Sequence, residues 1–257
     1  MSGLLRVLAF VALLSLVLGA AAAFGRAIGP LERGVEDEGH AESAEDAHPV
    51  GLSVAANGFR IVAPRTRIAP GQNARFTFRV LGARTFEPSH ERLMHLIVVR
   101  RDLDYFRHLH PVRARDGSWA TALTLPAPGA YRVFADFVAD GKRTVLGLDL
   151  FAPGEWLPGR SATAGTGPNT VALDRDGERL RFQVTRAGRE VTVDRYLGAR
   201  GHLVVLRKGD LAYVHTHAEE DELAFEAPLP SPGSYRAYLQ FSVGGRVFTK
   251  AFPLEER

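Results

Sequence analysis

One stretch of this chain occurs twice. Residues 94–111 read MHLIVVRRDLDYFRHLHP, and residues 201–218 read GHLVVLRKGDLAYVHTHA. The first copy carries His95, His108 and His110, and the second carries His202, His215 and His217, each 107 residues after its partner. Six of the nine histidines therefore share one repeated frame. Self-similarity at that spacing constrains the fold more than any other feature, because each copy must belong to its own module.

The second copy has the grammar of a β-hairpin. HLVVL and AYV are short apolar runs on either side of Lys208-Gly209-Asp210-Leu211. Gly-Asp is a two-residue turn signal. With Gly209 and Asp210 as the loop, Leu206 faces Tyr213, Val204 faces His215, and His202 faces His217. Side chains alternate along a strand, and directly opposed residues share a face, so the three histidines share one. The first copy, with Asp102 and Leu103 as its loop, places Ile97 opposite His108 and His95 opposite His110. Each hairpin thus carries three imidazoles on one face, far from its turn.

The rest of the chain reads as all-β: two tandem antiparallel immunoglobulin-like or cupredoxin-like sandwich domains after an N-terminal hydrophobic helix. Composition is 46% apolar and 24% charged over 257 residues, enough for two domains of about 100 residues. Residues 50–153 and 169–257 both break into short alternating runs separated by Pro, Gly and Asp turns, the pattern of a sandwich. Residues 154–168 form a Gly/Pro/Ser/Thr linker. Residues 4–23, LLRVLAFVALLSLVLGAAAA, are apolar except for Arg6 and Ser15. We read residues 1–28 as a single membrane anchor or a cleaved signal peptide, with export of the remainder in both cases. The resulting location is the cell membrane, single-pass, or secretion. Residues 29–49 are acidic and read as a disordered spacer. Its His40 and His48 are solvated, or form a loose metal-collecting tether.

A second element repeats: LPAPGAYRVF at 125–134 and LPSPGSYRAY at 229–238. A Tyr after a Gly turn, opening a late strand, matches the tyrosine corner of immunoglobulin-like sandwiches, so Tyr131 and Tyr235 are assigned structural roles. Val133 and Ala237 stand where antibody domains carry their second cysteine. Trp119 and Trp156 are read as core or interface residues.

Cysteine is absent, which excludes disulfides, zinc ribbons, blue-copper thiolates and cysteine nucleophiles. The net charge is +3, without a dense basic tract, so no nucleic-acid partner is expected. Neutral imidazole is a common metal ligand, and three on one face leave an open coordination position. Nitrogen-only donors suit Cu(II), Zn(II) or Ni(II). With only Met1 and Met94 in the chain, a soft Cu(I) site has little support. The expectation is binding of a copper or zinc ion by His95, His108, His110, His202, His215 and His217, without catalysis. The alternative is a non-enzymatic cell-envelope interaction module whose histidines are structural. A zinc hydrolase would need a carboxylate beside the metal. Asp136 and Glu91 lie in the right module, but Gln240 takes the place of Asp136 in the second copy. The central hairpins are apolar on both faces, so both faces should be covered. One fills its own sandwich, and the other, bearing the histidines, should meet the sister module.

The segments HLIVVRRDL…HLHP, PGAYRVFADF and YLGARGHLVVLRKGDLAYVHTH resemble those of exported bacterial proteins common in high-GC actinobacteria. These are mostly named secreted or heavy-metal-binding proteins. The resemblance spans about residues 55–257 plus the apolar N-terminus. It implies export, a two-module layout and, more weakly, metal binding. The sandwich also resembles periplasmic copper-carrier modules, whose methionine clusters this chain lacks.

Overall fold

The computed structural model describes residues 10, 12–13, 15–17, 50–159, 167–214, 216–219 and 222–257. The chain divides into two units, Met1–Ala44 and Glu45–Arg257. In the first, residues 10, 12–13 and 15–17 are helical, and among the described residues no helix is long and apolar enough to cross a membrane. Apart from these six positions, the expected anchor (1–28) lies outside the described residues, as do the spacer (29–49) and His40 and His48 within it.

The second unit is all-β and holds two sandwiches. The first contains β1 (Ala55–Ala56), β2 (Phe59–Val62), β3 (Asn73–Leu81), β4 (Phe86–Glu87), β5 (His95–Arg100), β6 (Phe106–Leu109), β7 (Val112–Arg113), β8 (Trp119–Thr124), β9 (Gly129–Ala139) and β10 (Lys142–Ala152). The second contains β11 (Asn169–Asp176), β12 (Arg179–Arg186), β13 (Arg189–Glu190), β14 (Gly201–Arg207), β15 (Tyr213–Val214), β16 (His217–Ala218), β17 (Ala224–Glu226), β18 (Gly233–Val243) and β19 (Arg246–Glu256). Each sandwich pairs an outer sheet with an inner one. The orders are β1-β2-β3-β8-β7 against β10-β9-β5-β6 in the first, and β11-β12-β17-β16 against β15-β14-β18-β19 in the second. The strands are antiparallel throughout, with the two-layer order of an immunoglobulin-like fold.

Alternation explains the layers. In β3, Phe76, Phe78 and Val80 point inward while their neighbours are more exposed. In β5 every residue is buried. Met94, Leu96 and Val98 fill the first core. Ile97 and Val99 point the other way and join Phe106, Phe134, Val204, Leu206, Tyr213 and Tyr238 in a third apolar cluster. That cluster lies between the inner sheets of the two sandwiches, so the second face of each hairpin is covered by the sister module. Phe106 stacks on Tyr238 at 4.2 Å and 10°, and Phe134 meets Tyr213 at 5.5 Å. The repeat equates Phe106 with Tyr213 and Phe134 with Tyr238, so these are the same contact made twice about a pseudo-two-fold axis, as in an isologous dimer interface.

The hairpin registers are those read from the sequence: Ile97 opposes His108, and Leu206 opposes Tyr213. The loops differ. Arg100 N donates to Tyr105 O, and Arg207 N to Ala212 O, so each loop has four residues, not two. Carboxylates cause the change. Asp102 accepts from Arg100 and from the Asp104 N–H, and Asp210 from Arg207 and from the Ala212 N–H, which favours an Asx-type turn over the tight one.

A second correction concerns His217. The pairing of β14 with β15 ends at Val205 and Val214. The chain then crosses to the outer sheet, where His217 opposes Glu226 instead of His202. The edge of β17 offers unpaired backbone groups, and pairing with them satisfies both chains. In the first module the strand switches similarly, with β7 joining β8.

Both tyrosine corners are formed. Tyr131 OH donates to Ala127 O at 2.7 Å, and Tyr235 OH to Ser231 O at 2.7 Å. Replacing Tyr131 with Phe strips a buried hydrogen bond and is expected to cost about 1–2 kcal/mol in denaturant unfolding. An unchanged midpoint would show the corner to be ornamental. Trp119 is a core residue packed edge-on against Phe86, whereas Trp156 is about half exposed and covers Gly129.

Candidate metal centre

Five imidazoles gather at one end of the seam between the sandwiches. His95 opens β5, His108 lies on β6, and His110 follows β6. His202 comes from β14 of the second module, and His90 from the turn before β5. Ring centroids are 5.1 Å apart for His95–His108 and His95–His110, and 4.8 Å for His108–His110. Those to His202 are 5.1 Å from His90, 5.9 Å from His108 and 6.3 Å from His95. Nitrogens of His95, His108 and His110 all lie within 4.8 Å of one another. His215 lies outside the described residues. For His217 only the backbone is described, and it runs in the outer sheet. Of the expected second trio, His202 is the one whose side chain is described, and it faces the first trio.

The pseudo-symmetry extends to the polar contacts. His95 Nε2 donates to Ser89 O at 2.8 Å, and His202 Nε2 to Tyr196 O at 2.9 Å. Ser89 and Tyr196 are equivalent positions of a repeated turn, closed by the bridges Ser89–Arg92 and Tyr196–Ala199. His90 has φ 48° and its counterpart Leu197 has φ 53°, so the left-handed backbone belongs to the turn and not to histidine chemistry. Across from these histidines on the next strand, Asp136 opposes His95 and Gln240 opposes His202. Each reaches over the seam. Gln240 Oε1 lies 2.7 Å from His108 Nδ1, and Tyr213 OH lies 3.5 Å from Asp136 Oδ2. Asp136 also faces Arg143 at 3.6 Å.

The Ser89 carbonyl fixes which nitrogen of His95 carries its proton, and the orientation of the Gln240 amide sets that of His108. The Ser89 carbonyl can only accept, so His95 holds its proton on Nε2 and turns the Nδ1 lone pair inward. Gln240, oriented with Oε1 toward His108, accepts from Nδ1–H and leaves Nε2 as a lone pair. The two inward atoms, His95 Nδ1 and His108 Nε2, face each other at 2.9 Å. With the Gln240 amide turned over, its NH2 donates to His108 Nδ1, and a proton on His108 Nε2 bridges the pair instead. Donation of the outer N–H to a carbonyl or amide oxygen is how metal-binding imidazoles are held.

The electrostatics favour the neutral, ligating form. Burial, with neighbouring histidine charge, holds His108 well below its ordinary 6.5. Burial lowers His110 to about 4, with His95 and Arg92 adding to the effect. It lowers His202 to about 4 as well, and lowers His90. His110 Nε2 is buried without a hydrogen-bond partner among the described residues. A cavity of about 50 Å3 adjoins the cluster, bordered by His90, His95, His108, His202, Asp136 and Tyr213.

The sequence reading missed His90 and the contacts of Gln240 and Tyr213. His90 stands five residues before His95 in Pro-Ser-His-Glu, a turn signal that could have flagged it. The others are reached only across the seam.

Fold and cluster together define the class: a tandem immunoglobulin-like β-sandwich protein with a histidine-rich junction. The chain belongs to the family described as Domain of unknown function (DUF8832), whose model matches residues 54–152 and again 169–256. No curated protein matches it in sequence. Among solved structures it is similar to Escherichia coli alpha-2-macroglobulin activated by porcine elastase (14% identity, 76% of this chain, TM-score 0.29) and spans 19% of that chain. It is also similar to the fibronectin(III)-like modules of Clostridium thermocellum CbhA (11% identity, 77% of this chain and 94% of that one, TM-score 0.23). A third is the two-domain fibronectin type-III segment of chicken tenascin (9% identity, 77% and 97%, TM-score 0.23). Sheet order defines the fold.

Proposed function

We propose that this protein binds a divalent transition metal through His95, His108 and His110, with copper(II) ahead of zinc. The observation carrying this reading is the pair of inward nitrogens 2.9 Å apart, each on a ring whose outer nitrogen faces a protein oxygen. Two metal–nitrogen bonds of about 2.05 Å span about 2.9 to 3.3 Å between cis ligands, so the inward pair is already close to ligand spacing. Nitrogen donors suit both ions, and copper(II) stands above zinc(II) in the general affinity order. Trans ligands lie about 4.1 Å apart at that bond length, so the trio needs a contraction of under about 1 Å to close on an ion. The histidines act as ligands, with no chemistry on a substrate. The apolar N-terminal segment would place the site outside the cytoplasm, membrane-anchored or secreted.

Calorimetric titration of the full chain with Cu(II) and with Zn(II) tests this. One ion per chain is expected, with affinity at least about 100-fold weaker when His95, His108 and His110 are all changed to Ala. Equal affinity in the two proteins would return the histidines to the structural role of an envelope-interaction module. The nitrogen hyperfine pattern of the Cu(II)-loaded native protein reports the same ligands without a variant.

A further inference from the structure

We infer that an ion held by His95, His108 and His110 is completed by His202, so that loading the site clasps the second sandwich onto the first. This rests on the metal reading above and adds a consequence to it: occupancy sets how tightly the modules are joined.

Geometry carries the inference. A ring centroid lies about 3.2 Å from an ion bound to its nitrogen, so rings sharing one ion sit about 4.5 Å apart when cis and about 6.4 Å when trans. All five centroid distances available among His95, His108, His110 and His202 fall between 4.8 and 6.3 Å. His202 is also oriented as a ligand. The Tyr196 carbonyl takes its Nε2–H and leaves Nδ1 as the lone pair, the same device that prepares His95. It is 8% exposed, at the same end of the seam. The three-nitrogen set within 4.8 Å does not include it, so binding draws its ring inward while β14 stays in place.

The location gives the bond its effect. Most of the seam is an apolar cluster around Phe106, Phe134, Tyr213 and Tyr238, tied by Tyr238 OH donating to Leu103 O at 2.6 Å and by the backbone pairing of Val50 with Tyr213. At the histidine end the side-chain links between the modules are the Gln240 contact to His108 and the weak Tyr213 contact to Asp136. An ion bonded to both modules adds a strong, directional link where the seam is most polar. It opposes separation because it binds only the docked form.

Hydrogen exchange of the full chain, read peptide by peptide with and without Cu(II), tests this together with calorimetry of His202→Ala. The expected result is exchange slowed about ten-fold or more in residues 201–207 of the loaded native protein, and affinity at least ten-fold weaker in His202→Ala. Slowing confined to residues 95–110, with His202→Ala binding as tightly as the native chain, overturns the clasp and leaves the metal reading standing. Failure of the native chain to bind overturns both. Should His202→Ala not fold, the nitrogen count in the Cu(II) spectrum of His90→Ala decides: four supports the clasp, and three overturns it.

Discussion

Metal-free protein is expected to lose stability steeply as the pH falls from 6.5 to about 4. In the unfolded chain the histidines take up protons near pH 6.5. In the folded chain burial holds His110 and His202 near 4 and His108 well below 6.5. Between those values the unfolded state binds more protons, so stability is fully present above pH 6.5 and drains away below it. For His202, which is 8% exposed, a fall from 6.5 to about 4 corresponds to about 3 kcal/mol. The neighbouring rings act in the same direction, but they are coupled and their effects do not simply add. Urea midpoints of chelator-treated protein at pH 7, 5.5 and 4.5 measure the slope. A flat profile across that interval would mean the rings escape burial in solution. A bound ion should move the onset to lower pH, since protons must displace it first.

Gly147→Ala is expected to destabilise the protein by about 3–5 kcal/mol, the range for breaking a buried charge network. Gly147 lies on β10, where residues 50–53 cross the inner sheet of the first module. A methyl group there would stand 1.9 Å from Gly51 O and 2.4 Å from a guanidinium nitrogen of Arg132. Neither can yield cheaply. Gly51 O accepts from Arg132 Nε and Nη2, Leu52 O accepts from Nη2, and Gly147 N donates to Ser53 O. Arg132 is itself 7% exposed, so displacing the crossing segment takes three carbonyl contacts from a buried cation and leaves it the Asp149 carboxylate at 2.8 Å. The segment also ties the modules, because Val50 pairs with Tyr213. Thermal unfolding of Gly147→Ala beside Arg132→Ala checks the mechanism. Comparable losses support it, and a methyl tolerated within about 0.5 kcal/mol would show that residues 50–53 do not pack against β10 in solution.

Much of this was legible in the primary structure. The repeat required two modules, because a motif recurring 107 residues on cannot be served by one hairpin. Alternation gave the strands, and the apolar runs on both sides of β5 and β14 called for cover on both faces. Registers were readable because a one-residue slip would turn every side chain to the wrong face. Tyr131 and Tyr235 were readable because a buried hydroxyl after a Gly turn has one nearby backbone acceptor. The turns were misread because Gly-Asp fits two loop geometries, and the choice fell to Arg100 and Arg207 bonding Asp102 and Asp210.

The histidines show where sequence stops. It determined that His95 and His108 share a face, through pairing rules that act over a few ångströms along one hairpin. Two equal trios followed from the repeat alone. Only the tertiary structure decided that His217 pairs in the outer sheet, because β17 had a free edge to join. Only the docking of the two inner sheets brought His202 to the first trio, Gln240 to His108 and Tyr213 to Asp136. Contacts such as these, between residues 77 to 132 positions apart, depend on how whole apolar faces pack. Local periodicity says that such a face must be buried, and the shape of the partner decides what it meets.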